Sequence, residues 1–403
     1  MSAILFNRDR AEQLEVPLVL LAHQSHYEMR GNGRRTIHEH LIWYVGDPGH
    51  PFCETVKRPG VVVDNMIEIF LLKRCRIHRG QDTLLVEPDR WELHAPRNWP
   101  SEGCQPWSEV SAELPKLKPG DIVELAYSLD NRWTTSRIPS DWVVSPLVVT
   151  GAPTLERHII FSSDTIRNGR VDVIGQSVRP IRHYGGALTK TEFMIADLPA
   201  GPADPTSLET PRAYFTSHQN WTSLRRMLQR YFHWSISDGE KLLKELGHSI
   251  METHRASRDR LKAVLEHVER HCKGIPVSLT ASTYYPRNVQ LSYGKGAADP
   301  MERALLVTAL AGAAIMKVDV FLARGNVDDF RPDLPTPMQF DRVILRVLLA
   351  EEDRYALIDP LRPDLQEIEK ETPDLLLMGI EDTWPGFYQI GPDGDLESVK
   401  VAP

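Results

Sequence analysis

The chain has 403 residues, 41% of them hydrophobic, and its 47 basic and 55 acidic side chains give a net charge of −8 and a sequence pI near 6.0. That length supports two or three domains, each with its own core, and the absence of long single-sign blocks argues against nucleic acid or an anionic membrane as the general partner. Four widely spaced cysteines (Cys53, Cys75, Cys104, Cys272) with no CxxC pair exclude a zinc ribbon and a disulfide-dense scaffold.

No window approaches the eighteen or so apolar residues of a bilayer span. The first ten residues reach Arg8, Asp9 and Arg10 before any useful apolar run, so they do not read as a secretory signal. The expected location is cytoplasmic, with a secreted or periplasmic one left open where a signal has been removed.

From about Val16 to Leu198 the sequence reads as short strands between turn signals. Leu18 to Met29 and Thr36 to Val45 flank Gly31, Asn32 and Gly33, a hairpin turn. Met66 to Ile77, Asp82 to His94, Glu109 to Leu114, Asp121 to Tyr127, Ser145 to Val149, Arg157 to Ser162, Val171 to Ile174 and Glu192 to Ile195 continue the alternation, the spacing of a β-sandwich. Residues 199–211, rich in proline and small side chains, read as an inter-domain linker. Helical periodicity then takes over in Trp221 to Trp234, Asp238 to His254 and Ser257 to Cys272.

The next helix start is the best specified. Asp299 is a good N-cap, Pro300 suits the first helical position and Glu302 stands three residues after the cap, ahead of an apolar run. Three apolar segments come after it, Lys317 to Ala323, Arg342 to Leu349 and Tyr355 to Ile358, and helices followed by antiparallel strands indicate an α+β domain. The expected organisation is a β-sandwich over residues 1–198, a linker over 199–211, an α+β domain over 212–372 and an irregular cap or tail over 373–403.

Leu117 to Glu124, with its Pro-Gly-Asp centre, resembles the strand start of the DUF3857 type of N-terminal domain. In the second half, Tyr284-Tyr285-Pro286, the segment from Gly296 to Leu310, Leu334 to Ile344 and Leu357 to Pro360 occur in the order of landmarks of a transglutaminase-like, papain-like cysteine domain. The resemblance covers roughly residues 20–370 and implies an all-β sandwich followed by an α+β transglutaminase-like domain of bacterial type. Carried over position by position, the family's cysteine falls on Pro300, its histidine on Arg342 and its acid on Asp359.

Two of those three positions have lost their chemistry. In such a triad a thiolate attacks the carbonyl, an imidazole moves the proton and an acid orients the imidazole. Proline has no nucleophilic atom and a guanidinium is no base near neutral pH. No cysteine follows Cys272 and no histidine follows His271, so a slip of the alignment does not restore the triad. With strands adjacent as in the family, Arg342 and Asp359 are expected to form a salt bridge where histidine and acid would have met.

The implied function is that of a pseudoenzyme without a cofactor, binding a peptide or protein partner, such as an active enzyme, through Asp299, Arg342, Asp359, Tyr285 and Lys295. The alternative is an enzyme of non-thiol mechanism acting on amides or peptides in the remodelled cleft, with Asp299, Asp341, Arg342, Asp359 and Tyr285 as its polar groups. A third reading is a β-sandwich adaptor with the α+β domain as scaffold.

Other features have plainer readings. A hairpin register summing to 64 puts His26 opposite His38 with His40 on the same face, a zinc or copper candidate, but Leu21, Tyr27, Ile37, Leu41 and Trp43 occupy the other face and leave these histidines as ordinary solvated ones. Gly294-Lys295-Gly296 lacks the Walker spacing and reads as a turn. Trp99, Trp107, Trp133 and Trp142 suit strand-end packing better than a ligand platform. Asn220 heads a glycosylation sequon that matters only in a secretory host.

Overall fold

The computed structural model describes residues 2–30, 34–64, 68–95, 107–131, 142–164, 169–183, 188–202, 210–237, 240–275, 279, 286–325, 330–361, 375–381, 383–391 and 395–400. The chain divides into two compact units, residues 1–97 with 106–217, and residues 98–105 with 218–403.

The first unit is β-rich. It begins with α1 (Ser2–Gln13), β1 (Leu18–Met29), β2 (Arg35–Val45), the single turn α2 (Glu54–Lys57), β3 (Gly60–Asp64), β4 (Glu68–Arg79) and β5 (Asp82–Leu85). It continues through β6 (Glu92–His94), β7 (Trp107–Ser111), β8 (Asp121–Asn131), β9 (Trp142–Pro146) and β10 (Thr154–Asp164). The remaining strands are β11 (Arg170–Ile174), β12 (Ile181–His183), β13 (Leu188–Leu198) and β14 (Arg212–Thr216). One large sheet has the order β12-β13-β10-β1-β2-β8-β4-β5, and two smaller ones run β11-β14-β9 and β3-β7-β6. β1 pairs with β10 in parallel, which joins two antiparallel halves of the large sheet.

The Pro-Gly-Asp segment is a turn with a defined job. Gly120 takes φ +84°, a left-handed conformation that favours glycine. Asp121 then starts β8; its buried carboxylate accepts from the Lys118 amide at 2.8 Å and from Arg79 Nε and Nη2 at 2.9 and 2.7 Å, fastening β8 to β4.

Along β1 the interior face passes from Leu18 and Leu20 of one apolar cluster to Tyr27 and Met29 of another. Between them lie His23 and Ser25, part of a buried polar seam. Glu39 Oε2 accepts from Ser25 Oγ at 2.7 Å and lies 2.8 Å from His23 Nε2. Arg157 donates to Ser25 Oγ at 2.8 Å, Ser145 Oγ at 2.7 Å and His23 O at 3.0 Å. Burial raises the Glu39 carboxyl, but its bond to His23 and the nearby Arg157 charge outweigh that and hold it below the usual carboxylate range.

Arg212–Thr216, placed by its proline-rich approach at the head of the second domain, is a strand of the first. It pairs with β11 on one side and β9 on the other, so the proline-rich stretch leads back into the first unit instead of out of it. The structure also corrects the parity of β1: a bulge between Leu20 and Ala22 moves Leu21 to the opposite face, where it packs with Ala11 of α1, Val19, Ile42 and Tyr44.

The second unit opens with α3 (Trp221–Ser237), α4 (Glu240–Thr253) and α5 (Ser257–His271). Two-residue strands β15 (Lys273–Gly274) and β16 (Ala297–Ala298) pair in parallel on either side of α6 (Val289–Lys295), and β16 leads into α7 (Pro300–Ala313). The strands β17 (Val318–Arg324), β18 (Arg342–Leu349), β19 (Arg354–Ile358), β20 (Leu376–Gly379), β21 (Phe387–Ile390) and β22 (Leu396–Val399) form a sheet of order β19-β18-β17-β20-β21-β22. α7 packs against α3, α4, α5 and α6 as well as β17 and β18.

The C-terminal region expected to be an irregular cap therefore supplies half of this sheet. Leu375, Leu377, Tyr388 and Ile390 are buried with Phe321, Ala323, Ile344 and Leu357, and Phe387 meets Trp221 edge-on with ring centroids 5.2 Å apart. Each strand is only four residues long, too short for a periodicity signal. Leu377→Ala, at a site with no solvent exposure, is expected to destabilise the second unit by about 2–5 kcal/mol through the lost contacts and the cavity. Urea unfolding followed by tryptophan fluorescence measures this; a loss under about 0.5 kcal/mol, ordinary for surface positions, would place the strand outside the core.

Candidate functional site

The head of α7 is built as its sequence demands. Asp299 Oδ1 accepts from the Glu302 amide at 2.9 Å, and Glu302 Oε2 accepts in return from the Asp299 amide at 3.2 Å, a complete capping box with Pro300 at the first helical position. Glu302 also receives Arg287 Nη2 at 2.6 Å and the Arg287 Nε, the two side chains being 2% and 13% exposed. The next residue, Arg303, is 1% exposed. Its Nε donates to Pro360 O at 2.5 Å, its Nη1 to Cys272 O at 3.1 Å and its Nη2 to Glu269. One helical turn after Pro300, the chain is thus tied to the residue that follows Asp359.

Arg342 begins β18, and Asp359 lies one residue past β19. The expected salt bridge between them is not among the ion pairs of the described residues. Arg342 Nε instead lies 3.2 Å from Asp341 Oδ1, in a pair 39% and 31% exposed, while Asp359 Oδ1 accepts from the Leu361 amide at 2.9 Å. Register explains the difference. Leu345 faces Ile358, which puts Asp359 level with Ile344 and leaves Arg342 two residues further along, next to an acid of its own.

The remaining candidates separate. Lys295 is the last residue of α6; Tyr285 lies outside the described residues, as do Trp99 and Trp133. Trp142 is buried in β9. His26 does face His38, with ring centroids 5.7 Å apart, but the three imidazoles do not converge: His26 Nε2 is 2.8 Å from Ser162 Oγ and His40 Nε2 is 2.9 Å from Glu124 Oε1. Among the described residues no group of three or more His, Cys, Asp or Glu side chains is arranged to hold a metal ion.

Cys272, the cysteine nearest in sequence to α7, is fully buried and its thiol donates to Ser292 O at 3.4 Å. Burial, reinforced by Glu302, pushes its pKa up to about 12, so the thiol stays protonated near neutral pH. A cluster that sequence reasoning passed over lies nearby. His267 and His271, one turn apart on α5, stack at 4.2 Å, and His267 Nε2 is 3.0 Å from the Tyr293 hydroxyl; the four-residue spacing on a helix was the available signal.

Among solved structures, the chain resembles that of a "putative protease" from Parabacteroides distasonis, with a TM-score of 0.75 at 10% identity over 96% of this chain and 72% of that one. At that identity the likeness establishes a shared fold and leaves chemistry open. An M1 zinc metallopeptidase from Deinococcus radiodurans matches over 50% of this chain and 42% of its own, at 11% identity and a TM-score of 0.27, too low for a common fold. No protein-family model and no curated protein matches the chain. Among the described residues no helix is long and apolar enough to cross a membrane.

The two elements of the α7 head differ in cost. Asp299→Ala removes a cap and is expected to cost about 1 kcal/mol, whereas Glu302→Gln removes the buried charge that the Arg287 guanidinium meets and is expected to cost about 3 kcal/mol. Chemical denaturation of both variants measures the order, and equal losses would show that Arg287 is well solvated.

Proposed function

We propose that this chain is a catalytically inactive transglutaminase-like protein, a DUF3857-type β-sandwich followed by a papain-like α+β domain, which works by binding a peptide or protein partner. The observation that carries the reading is Pro300 at the first position of an otherwise complete helix start. The capping box keeps the helix and the proline removes the nucleophile, which is the combination expected of a domain retained for shape. Arg342, half-exposed beside Asp341 at the head of β18, is the charge best placed to meet a partner's carboxylate.

The fold likeness to a protein named as a protease is compatible with a cleft suited to peptides, and the non-thiol enzyme is the competing reading. Against it stands the use already made of the acids: Asp299 caps α7 and Asp359 accepts from the Leu361 amide. In an acyl-transfer and peptidase assay, wild type is expected to match a protein-free blank with or without a thiol-alkylating reagent, run beside a Pro300→Cys, Arg342→His variant. Alkylation-insensitive turnover by wild type would establish the competing enzyme instead. Co-purification of the wild-type chain from its host with mass spectrometry is expected to return a partner that Arg342→Glu loses.

A further inference from the structure

The outer face of the large sheet, opposite the two clusters that hold Leu18 and Tyr27, has an unusual make-up. Its register brings His26 of β1, His38 and His40 of β2, His78 of β4, His158 of β10 and His183 of β12 onto one surface. A cleft of about 340 Å³ opens there, lined by His26, His38, His40, Lys73 and Arg74. The cleft sits at a bulge in β4 between Leu72 and Arg74. That extra residue reverses the strand's parity, so Arg74, Arg76 and His78 reach the outer face while Phe70 and Leu72 remain opposite Leu129 and Tyr127.

The acids of this face are already committed. Glu124, 3% exposed, accepts from His40 at 2.9 Å, Arg74 at 2.8 Å, Arg76 at 2.5 Å and His78 at 3.2 Å. Glu28 holds Arg30 at 2.6 Å, and Glu192 lies 3.0 Å from His158 and also pairs with Lys190 and His183. Glu39, at the cleft wall, turns its carboxylate inward to Ser25 and His23. Lys73, Arg74 and Arg76 therefore set three permanent cations against the single carboxylate of Glu124. Among the described residues, Lys73 makes no ion pair and His38 no hydrogen bond.

We propose that this cleft binds a small polyanion, a ligand bearing two or more carboxylate or phosphate groups. Its volume falls at the small-molecule end of binding pockets, which commonly span about 300–1,000 Å³, and exceeds what one simple oxyanion fills. Lys73 offers a point charge, Arg74 a planar fork with donors beyond the one given to Glu124, and the imidazoles add donors when protonated. The site goes beyond the partner-binding reading of the second unit and stands without it.

Proton uptake accompanies binding. In the free protein burial lowers the His26 pKa, and His38 lowers it further; Lys190 acts in the same direction, and Glu28 and Glu192 oppose it. An anion bound in the cleft beside the His26 ring raises its pKa against these effects, so the complex binds more protons than the free chain and affinity rises as pH falls. His40 and His78 stay hydrogen-bonded to Glu124, the carboxylate that Arg74 and Arg76 also meet.

The test is isothermal titration calorimetry of the full chain with citrate, with pyrophosphate and with acetate as a single-charge control, at about pH 6 and pH 8. At least one polyanion is expected to bind at least about tenfold more tightly than acetate, and more tightly at the lower pH; citrate alone assigns carboxylates and pyrophosphate alone assigns phosphates. The His38→Gln, Lys73→Gln double variant is expected to weaken binding about tenfold, roughly 1.4 kcal/mol, with an unchanged melting temperature, and Lys400→Gln to leave it unchanged. Failure of both polyanions to bind, or an affinity that the double variant leaves unmoved, overturns the proposal.

Discussion

Glu302 and Arg303, adjacent in the first turn of α7 and each 1% exposed, are the constraint around which the second unit is arranged. A buried charge without a partner costs several kilocalories per mole, so each must be met by groups drawn from elsewhere in the chain. Glu302 takes Arg287, from the segment before α6; Arg303 takes Glu269 of α5 and the carbonyls of Cys272 and Pro360. Those partners fix α5, the short parallel pair β15 and β16, and the turn after β19 to the head of one helix. Gly274 belongs to the same fit: a Cβ there would lie 3.1 Å from an Arg303 nitrogen and from Leu361.

The features legible in the sequence were local ones. The Asp299 cap, the proline and the glutamate lie within four residues and specify the helix start by chemistry that needs no tertiary contact. The strands from Leu18 to Val45 and from Arg342 to Ile358, like the three helices after Trp221, were legible because each is long enough to express a period. The partners of Glu302 and Arg303 were not legible, since fifteen to nearly sixty residues separate them from the helix. The Arg342 and Asp359 pairing failed for the same reason on a smaller scale. It depended on a register between two strands, and a two-residue offset was enough to give Arg342 to Asp341.

Bulges decide the equivalent question in the first unit. Sequence alternation assigns Leu21 to the interior and says nothing special about Lys73, yet one extra residue at each place exchanges the two faces for the rest of the strand. The result is a sheet whose two sides hold charge in opposite ways. On the inner side Arg157, 2% exposed, is spent on Ser25, Ser145 and backbone carbonyls, and the seam it forms interrupts an otherwise apolar interior. On the outer side the charges surround one buried carboxylate and remain in excess of it. Burial raises the Glu124 carboxyl, but the bonds from His40, Arg76, Arg74 and His78 more than offset this and keep it ionised well below the usual carboxylate range.

The α7 head inverts the usual use of a helix N-terminus. Its free N–H groups and the positive end of the dipole would stabilise a thiolate or bind a ligand's anion. Here that demand is met internally, because Asp299 accepts from the Glu302 amide and Glu302 accepts from the Asp299 amide. A thiol placed at position 300 would find two carboxylates already at the electropositive end of the helix, and its thiolate would meet their repulsion. An arrangement of this kind holds the helix start through its own side chains, while Arg342, at the head of β18, stands half-exposed beside Asp341.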